Sequence, residues 1–356
     1  MTTTDPAAPP ALVTVDAPDA PTTNPLTGQP LIARDRWGRP KVVPEWGGNA
    51  VPYTRCTTFV GCVEDMYLVQ QWQMRHVARG IALNDDLIAA VRDTDPDNKD
   101  GLNFLHGEAR KRSGAGDAAA LGTYLHTVTE AADRGLDPGS VEVPWLSTGT
   151  MDPSAYIPDL AAYLEATAPF RHLSIEQFMV QDPLKVGGTP DRVVQYQGKR
   201  YIADLKTGVI DMGTLKIAAQ LAMYARSRPY DHTTGARGEP HGCEIDRGII
   251  IHLPVGSATC RLYWVDLLAG WNVVMTARDV RERRKLRWNA LARELVHVRP
   301  APLTLADQIT SCVDADEVRA LWRAHTADWT QDLTELARVH IASLATSTAA
   351  TTTTKE

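Results

Sequence analysis

A β-hairpin is the clearest element that the hydrophobic pattern predicts near the middle of the chain. Apolar and polar residues alternate over about residues 190–196 and again over about residues 199–206, as they do in strands. Gln197-Gly198 separates the two runs, which is the length of a tight hairpin turn. The pattern therefore predicts two antiparallel strands joined by a two-residue turn.

Three charged side chains are expected on one face of this hairpin. A two-residue turn at this place sets Asp191 opposite Asp204, and Lys206 shares a strand face with Asp204. Facing carboxylates repel each other unless positive charge lies between them. Either Lys206 or a hard divalent cation could provide that charge. The arrangement favours a metal site over a purely structural hairpin.

Helical periodicity predicts several helices before the hairpin. They are expected at about residues 62–80, 84–92, 117–134 and 158–167. The acidic run at 95–101 is predicted to be a turn, because it lacks the bidentate glutamate that ends a calcium-binding loop. Trp72, in the first helix, is interpreted as core packing.

The helix at 117–134 carries a polar stripe at helical spacing, made of Thr123, His126, Thr127 and Glu130. A single histidine on a helix is usually a satisfied surface or core group, and a metal ligand is the alternative. Further on, alternation predicts a strand at 172–180. Glu176 in that strand is either an edge-strand surface residue or a functional acid.

After the hairpin, a helix is predicted at about residues 212–226. It carries a polar stripe with a spacing of four, which is normally the solvated face: Lys216, Gln220 and Tyr224. Strands at about 244–253 and 259–265 are predicted to form a second hairpin of the same sheet. The run Gly248–His252 is apolar enough to be covered on both faces.

A long helix with a basic middle is predicted at about residues 267–296. The acidic residues near it are Asp279, Glu282 and Glu294, against a larger basic set: Arg278, Arg281, Arg283, Arg284, Lys285, Arg287 and Arg293. The basic set is either a solvated helix face or a contact to a phosphate backbone. Helices at about 305–324 and 329–343 follow, in which Trp322 and Trp329 are interpreted as packing.

Composition narrows the possible classes of protein. A chain of 356 residues with a formal net charge of -6 is not a basic coat protein for nucleic acid, so any such contact needs local patches. No apolar run reaches the length of a membrane span. The five cysteines include no C-x-x-C pair, which favours reduced thiols and a cytoplasmic location.

We predict disordered ends at residues 1–30 and 344–356, because both are of low complexity. Residues 31–343 are predicted to form a single domain, including a helical part from about residue 267.

Several motifs line up in one order along the chain: Gly122-Thr123-x-x-His126-x-x-x-Glu130, Glu176, Gly188-Thr189-Pro190-Asp191, Asp204-Leu205-Lys206-Thr207-Gly208 and Gln220-x-x-x-Tyr224. This order resembles the PD-(D/E)XK nuclease superfamily, and more closely its RecB-type branch, which includes many phage exonucleases. The resemblance spans about Thr54 to Val265. The segment from Tyr53 to Phe59, together with Trp72, is also similar to the N-terminal part of the phage members.

The resemblance implies an α/β fold with a restriction-endonuclease-like core, in which helices flank a central mixed β-sheet and further helices are added at both ends. It implies that Asp191, Asp204 and the Leu205 carbonyl bind Mg²⁺ or Mn²⁺, with His126 as a further ligand. Lys206 would position or activate water and stabilise phosphate charge, with its protonation state open. Glu176 would be an accessory acid.

The same resemblance implies contacts to DNA from Gln220, Tyr224 and Thr207. The basic side chains expected to bind DNA are Lys216, Arg281, Arg284 and Lys285. No late C-x-x-C is present, so no iron–sulfur cluster is expected.

The expected function is a metal-dependent DNA exonuclease of recombination, repair or end processing, leaving 5′-phosphate and 3′-hydroxyl ends. Linear single- or double-stranded DNA would be its substrate, a recombinase or single-strand annealing protein its partner, and the cytoplasm, or host cytoplasm for a phage protein, its location. The alternatives are a catalytically silent DNA-binding protein of the same fold and an endonuclease.

Neutralising the arginines between Arg278 and Arg293 is expected to weaken DNA binding and to flatten its dependence on salt, because fewer counterions are released. Binding titrations at several salt concentrations measure this slope, and an unchanged slope would contradict a role for the basic segment.

Overall fold

The computed structural model describes residues 23–211, 213–293 and 302–352. Its backbone divides into two compact units, Met1–Leu286 and Arg287–Glu356, where the sequence predicted a single domain over residues 31–343. The predicted ends shift as well. Residues Thr23 and Pro30 pair in an isolated bridge, and the last helix continues to Thr352 instead of ending at residue 343.

The strands in the described residues are β1 (Lys41–Val42), β2 (Val51–Pro52), β3 (Thr54–Arg55), β4 (Trp145–Leu146), β5 (Gly149–Thr150), β6 (Arg171–Ile175), β7 (Met179–Gln181), β8 (Val186–Gly188), β9 (Arg192–Tyr196), β10 (Lys199–Lys206), β11 (Arg228–Pro229), β12 (Arg247–His252) and β13 (Arg261–Asp266). The α-helices are α1 (Cys56–Val60), α2 (Tyr67–Ala82), α3 (Asp85–Asp93), α4 (Lys99–Arg112), α5 (Asp117–Asp133), α6 (Ile157–Thr167), α7 (Thr214–Ala225), α8 (Leu267–Arg283), α9 (Trp288–Leu291), α10 (Leu305–Ser311), α11 (Ala315–Ala324) and α12 (Gln331–Thr352).

The first unit is built on a mixed sheet with the strand order β13-β12-β10-β9-β6. Strands β9 and β10 form the predicted antiparallel hairpin, and β12 and β13 form the second one. Strand β10 runs parallel to β12, which requires a crossover connection, and α7 provides it. The α/β fold with a central mixed sheet flanked by helices, expected for a restriction-endonuclease-like core, is confirmed.

Helices cover both faces of this sheet. On one face, Val193 and Ile202 pack against α7 and α8, and on the other, Val194 and Leu205 pack against α5 and α6. Ile249, Ile250 and Ile251 of β12 are buried, as the apolar run predicted. Because successive side chains of β10 face opposite ways, Asp204 lies on the same face as Ile202, towards α7.

The predicted strand at 172–180 is wrong, because two strands in different sheets replace it. Strand β6 lies at the edge of the central sheet, whereas β7 belongs to a second sheet with the order β11-β7-β8-β3. Glu176 separates them with a φ of 50°, a left-handed conformation that no regular strand contains. The backbone N–H of Glu176 donates to the carbonyl of Asp191 at 2.9 Å, which holds the break in place.

Several helix boundaries also differ from the predictions, and the helix expected at 305–324 is divided into α10 and α11. Helix α1 and a short 3₁₀ turn precede α2, where a single helix at 62–80 was expected. The turn predicted at 95–101 ends at Asn98. The Asn98 side chain caps helix α4, which the sequence did not predict. Helix α8 ends at Arg283 instead of continuing to residue 296, and Glu294 lies outside the described residues.

One of the three tryptophans interpreted as packing residues packs against a hydrophobic core. Trp72 is 38% exposed and Trp322 is 50% exposed, so core packing was wrong for both. Trp329 does pack against the core of the second unit, where Ile309, Val318 and Ala337 bring α10, α11 and α12 together. Nowhere in the described residues is a helix long and apolar enough to cross a lipid bilayer.

A buried arginine ties α5 to the central hairpin. Arg192 of β9 is 1% exposed, and its Nε donates to Asp133 Oδ2 at 2.5 Å. Its Nη2 donates to Thr129 Oγ1 at 2.9 Å, and its guanidinium lies 5.4 Å from the ring centre of Tyr163. Asp133 also accepts a hydrogen bond from the Tyr163 hydroxyl at 2.7 Å. The network fixes one side of α5 against β9.

Substitution Arg192→Leu is expected to lower the free energy of unfolding by about 3–5 kcal/mol, because Asp133 would remain buried without its counter-charge. Lys199→Leu is a matched control on the same hairpin, since its pair with Glu244 is exposed and such pairs contribute about 1 kcal/mol or less. Urea unfolding measures both. Equal losses in the two variants would contradict an anchoring role for Arg192.

Candidate active site

Two acidic side chains meet at the open end of the hairpin. The register runs from the pair Tyr196–Lys199 to the pair Arg192–Ala203, as the two-residue turn predicted. Gln197 and Gly198 have φ values of 49° and 80°, the left-handed pair of a type I′ turn. Asp191 follows directly at the end of this ladder. Its Oδ2 accepts the Leu205 backbone N–H at 2.7 Å, which fixes its carboxylate beside β10.

Asp204 is 2% exposed and therefore lacks most of the hydration that a carboxylate prefers. Lys206 Nζ is in close ion-pair contact with Asp204 Oδ2, yet this buried oxygen has no partner with hydrogen-bond geometry among the described residues. Burial, followed by the charge of Asp191, raises the pKa of Asp204 to about 6. Burial also raises the pKa of Asp191. The pair therefore favours additional positive charge beside it.

His126 reaches this acidic pair from α5. Its Nδ1 lies 3.5 Å from Asp191 Oδ2. Gly122, one turn earlier, allows the approach, because a Cβ there would lie 2.7 Å from Thr207 Oγ1. Burial lowers the pKa of His126 to about 4, so the imidazole is neutral near pH 7 and keeps a lone pair that can bind a metal.

Glu176 joins the group through the left-handed break between β6 and β7. Burial, then the charges of Asp191 and Glu130, raise the pKa of Glu176 to about 9, so its carboxyl is protonated at neutral pH. Arg134 supports this corner, because it donates to Glu130 Oε1 at 2.9 Å and to the carbonyl of Ile175 at 2.9 Å. We did not predict Arg134 from the sequence. The four-residue spacing from Glu130, which allows an ion pair along a helix, could have indicated it.

Helix α7 brings its polar stripe with a spacing of four to the same face, but the stripe is not simply solvated. Tyr224 is 4% exposed, and burial raises its pKa. A Cβ at Gly188 would lie 2.7 Å from the Tyr224 hydroxyl, so only glycine fits there. Gln220 is half-buried, and Lys216 pairs with Glu64 at 2.7 Å. The expected contacts of Gln220, Tyr224, Thr207 and Lys216 to DNA stay predictions.

The basic segment after residue 278 is largely engaged with protein atoms. Arg281 donates to Thr54 Oγ1 at 3.3 Å and stacks 5.1 Å from the ring centre of Phe59. Arg284 donates to the Cys62 carbonyl at 3.2 Å, and Lys285 pairs with Glu282 at 2.6 Å. Contacts of Arg281, Arg284 and Lys285 to DNA therefore also stay predictions.

The acidic centre suits a hard divalent cation in its chemistry. It offers carboxylate oxygens, one of them buried with the Lys206 ammonium beside it, and a neutral imidazole. Within the described ranges, no three side chains of His, Cys, Asp or Glu by themselves form a metal-binding group. One oxygen of Asp191 accepts the Leu205 N–H, and one oxygen of Asp204 contacts the Lys206 ammonium. A cation would need water or backbone oxygen as further ligands.

Comparison with known protein families gives a match to the part of the chain that carries this site. Residues 102–227 match the family model described as the PD-(D/E)XK nuclease superfamily, a range that runs from α4 to the end of α7. Over these residues the chain is therefore similar to PD-(D/E)XK nucleases, which suggests a hydrolytic nuclease activity. Nucleases of this superfamily typically use divalent metal ions.

Among solved structures, the crystal structure of SSO0001 is similar over 46% of this chain and 73% of its own, with 16% sequence identity and a TM-score of 0.22. No curated protein matches the chain significantly.

The metal-free protein is expected to lose stability from pH 7 to pH 9 partly through Glu176. Its folded pKa of about 9 lies above that of an unfolded glutamate, so its contribution is present at low pH and is lost as pH rises towards 9. Melting curves in chelator should therefore fall more steeply for the wild type than for Glu176→Gln. Glu165→Gln, at an exposed position of α6, is the control. Parallel curves for wild type and Glu176→Gln would refute the protonated, buried glutamate.

Proposed function

We propose that the chain is a metal-dependent DNA exonuclease that hydrolyses phosphodiester bonds during recombination, repair or end processing. The observation that carries the proposal is the convergence of Asp191, Asp204, Lys206 and His126 from two elements inside the matched nuclease domain. Two neighbouring carboxylates, one of them buried, destabilise a fold when their charge is only partly compensated, which is typical of a functional site.

Asp191, Asp204 and the Leu205 carbonyl would hold Mg²⁺ or Mn²⁺, with His126 as a further ligand. When bound, the cation supplies Lewis-acid polarisation of the phosphate and lowers the pKa of water. The Asp191 carboxylate is oriented in advance. The hydrogen bond from Leu205 N–H fixes one of its oxygens and leaves the other for a ligand. The neutral state of His126 suits ligation as well.

Lys206 would stabilise the negative charge of the reacting phosphate. Burial alone lowers the pKa of Lys206, but the charges of Asp204 and Asp191 outweigh burial and leave its pKa above the ordinary value. The side chain is therefore an ammonium at neutral pH in the metal-free protein, and it would donate hydrogen bonds to phosphate oxygen or to the attacking water. The protonated carboxyl of Glu176 can donate a further hydrogen bond as the accessory acid.

A catalytically silent DNA-binding protein is the second candidate from another class. The complete set of two acids, a lysine and a histidine favours the enzyme, because a binding protein gains nothing from a buried pair of acids. An endonuclease of the same fold is distinguished by its substrate, since only an endonuclease cuts closed circular DNA. Linear DNA is the proposed substrate, in the cytoplasm, with a recombinase or single-strand annealing protein as the proposed partner.

Substitution Asp204→Asn is expected to lower Mg²⁺-dependent cleavage by at least about 100-fold, because the carboxylate charge that holds the cation is lost. The melting temperature should not fall, since the substitution removes a buried charge that the fold disfavours. Asp279→Asn, at an exposed carboxylate of α8, is the control. End-labelled single- and double-stranded linear DNA, with closed circular DNA beside it, measures cleavage, polarity and strand preference.

Two results would contradict the proposal. One is wild-type protein that degrades none of these DNA substrates with Mg²⁺ or Mn²⁺. The other is an Asp204→Asn variant that cleaves as fast as the Asp279→Asn control.

A further inference from the structure

A cavity of about 310 Å³ lies beside the acidic centre and is lined by arginine and hydroxyl side chains. Arg34, Arg55 and Thr57 come from the N-terminal part of the chain, outside the range that matches the nuclease family. Thr189 and Tyr224 complete the lining from inside that range. The cavity therefore joins a segment without an assigned role to the nuclease domain.

Both arginines at this cavity lack a carboxylate partner among the described residues. Arg34 donates only to the Gly38 carbonyl at 2.9 Å, and Arg55 only to Thr58 Oγ1 at 3.3 Å. Each guanidinium has five N–H donors, so most of them remain available. Burial, then the charge of Arg55, lowers the pKa of Arg34, which shows that the two cations repel each other. An anion between them would remove this repulsion.

Neighbouring arginines on the same loop are satisfied differently. Arg39 pairs with Asp35 at 2.7 Å, and the guanidinium of Arg36 lies 4.0 Å from the ring centre of Trp37. Asp35 therefore pairs with Arg39 and leaves Arg34 without an acid. Arg36 has no carboxylate partner among the described residues either, so Arg34 and Arg55 differ from it in that both line the cavity.

The cavity adjoins the proposed reaction centre. Thr189 lies two residues before Asp191 in the chain. Tyr224 lines the cavity, and its pKa is also raised by the charges of Asp204 and Asp191, after burial and Cys56. A strand whose scissile phosphate lies at Asp191 and Asp204 would therefore place a neighbouring phosphate within reach of the two arginines.

We propose that this cavity is a phosphate subsite that binds a non-scissile phosphate of the substrate strand through Arg34 and Arg55. The planar guanidinium fork matches phosphate oxygens, and the hydroxyls of Thr57 and Thr189 are available as additional donors. The phosphate is either a terminal monoester or an internal diester, which offer the same oxygens. The inference rests on the proposed function, because it takes DNA as the ligand.

Binding of short fluorescent single-stranded oligonucleotides to the full chain in chelator tests the subsite without cleavage. Three strands of one sequence are compared: one with a 5′-phosphate, one with a 3′-phosphate and one with hydroxyls at both ends. Arg34→Gln and Arg55→Gln are each expected to weaken binding about tenfold, since a charge-assisted hydrogen bond to phosphate is lost. Arg36→Gln is the matched control from the same loop and should bind as the wild type does.

The three strands distinguish the two sources of phosphate. A terminal phosphate predicts that the wild type prefers one phosphorylated strand and that both variants lose the preference. An internal phosphate predicts that the variants bind all three strands more weakly by the same factor. Variants that bind every strand as tightly as Arg36→Gln would overturn the subsite. Arg34→Gln decides the question if Arg55→Gln fails to fold, because the Arg34 side chain bonds only its own loop.

This experiment is independent of catalysis. Loss of oligonucleotide binding in both variants, together with a wild type that never cleaves DNA, would leave the phosphate subsite standing and remove the nuclease. Normal cleavage by the wild type, with unchanged binding in both variants, would remove the subsite alone.

Discussion

The repulsion between the carboxylates of Asp191 and Asp204 is the constraint on which the rest of the central domain depends. The hairpin register brings these two acids together, with Asp204 buried and the Asp191 side chain 13% exposed. The fold compensates them only partly, with the N–H of Leu205 on one acid and the ammonium of Lys206 on the other. The pKa of Asp204 stays raised, which indicates that its negative charge is only partly compensated. A divalent cation, held between the acids, is the simplest physical reason for keeping such a pair.

The surroundings of this pair act as a rigid support. Arg192, directly after Asp191, is locked to Asp133 and Thr129 of α5, and that contact presents the turn of α5 that carries His126. On the other side, the left-handed backbone of Glu176 is held by Asp191. Histidine, acids and lysine are therefore positioned by regular elements and buried contacts, as a site that must hold a reacting phosphate requires.

The sequence allowed the hairpin and its register to be predicted, because turn length and alternation are local properties, whereas the mixed sheet was expected from the resemblance to a family. It also pointed to His126 and Glu176, but only through the resemblance to a family, since their approach depends on distant chain segments. The break at Glu176 could not be predicted, because its positive φ is imposed by a hydrogen bond to Asp191. The partner of Lys216, Glu64, is equally remote in sequence, so its ion pair left no local signal.

Calorimetric titration of Mn²⁺ into the metal-free protein tests the central claim most directly, because it measures cation binding without any assumption about substrate. The wild type is expected to bind Mn²⁺ and to bind it more tightly as pH rises from 5 to 7, since Asp204 must lose its proton. Asp204→Asn is expected to remove this binding, while Asp279→Asn retains it. Wild-type protein that takes up no Mn²⁺ at pH 7, or an Asp204→Asn variant that binds it unchanged, would contradict a metal site at the acidic pair.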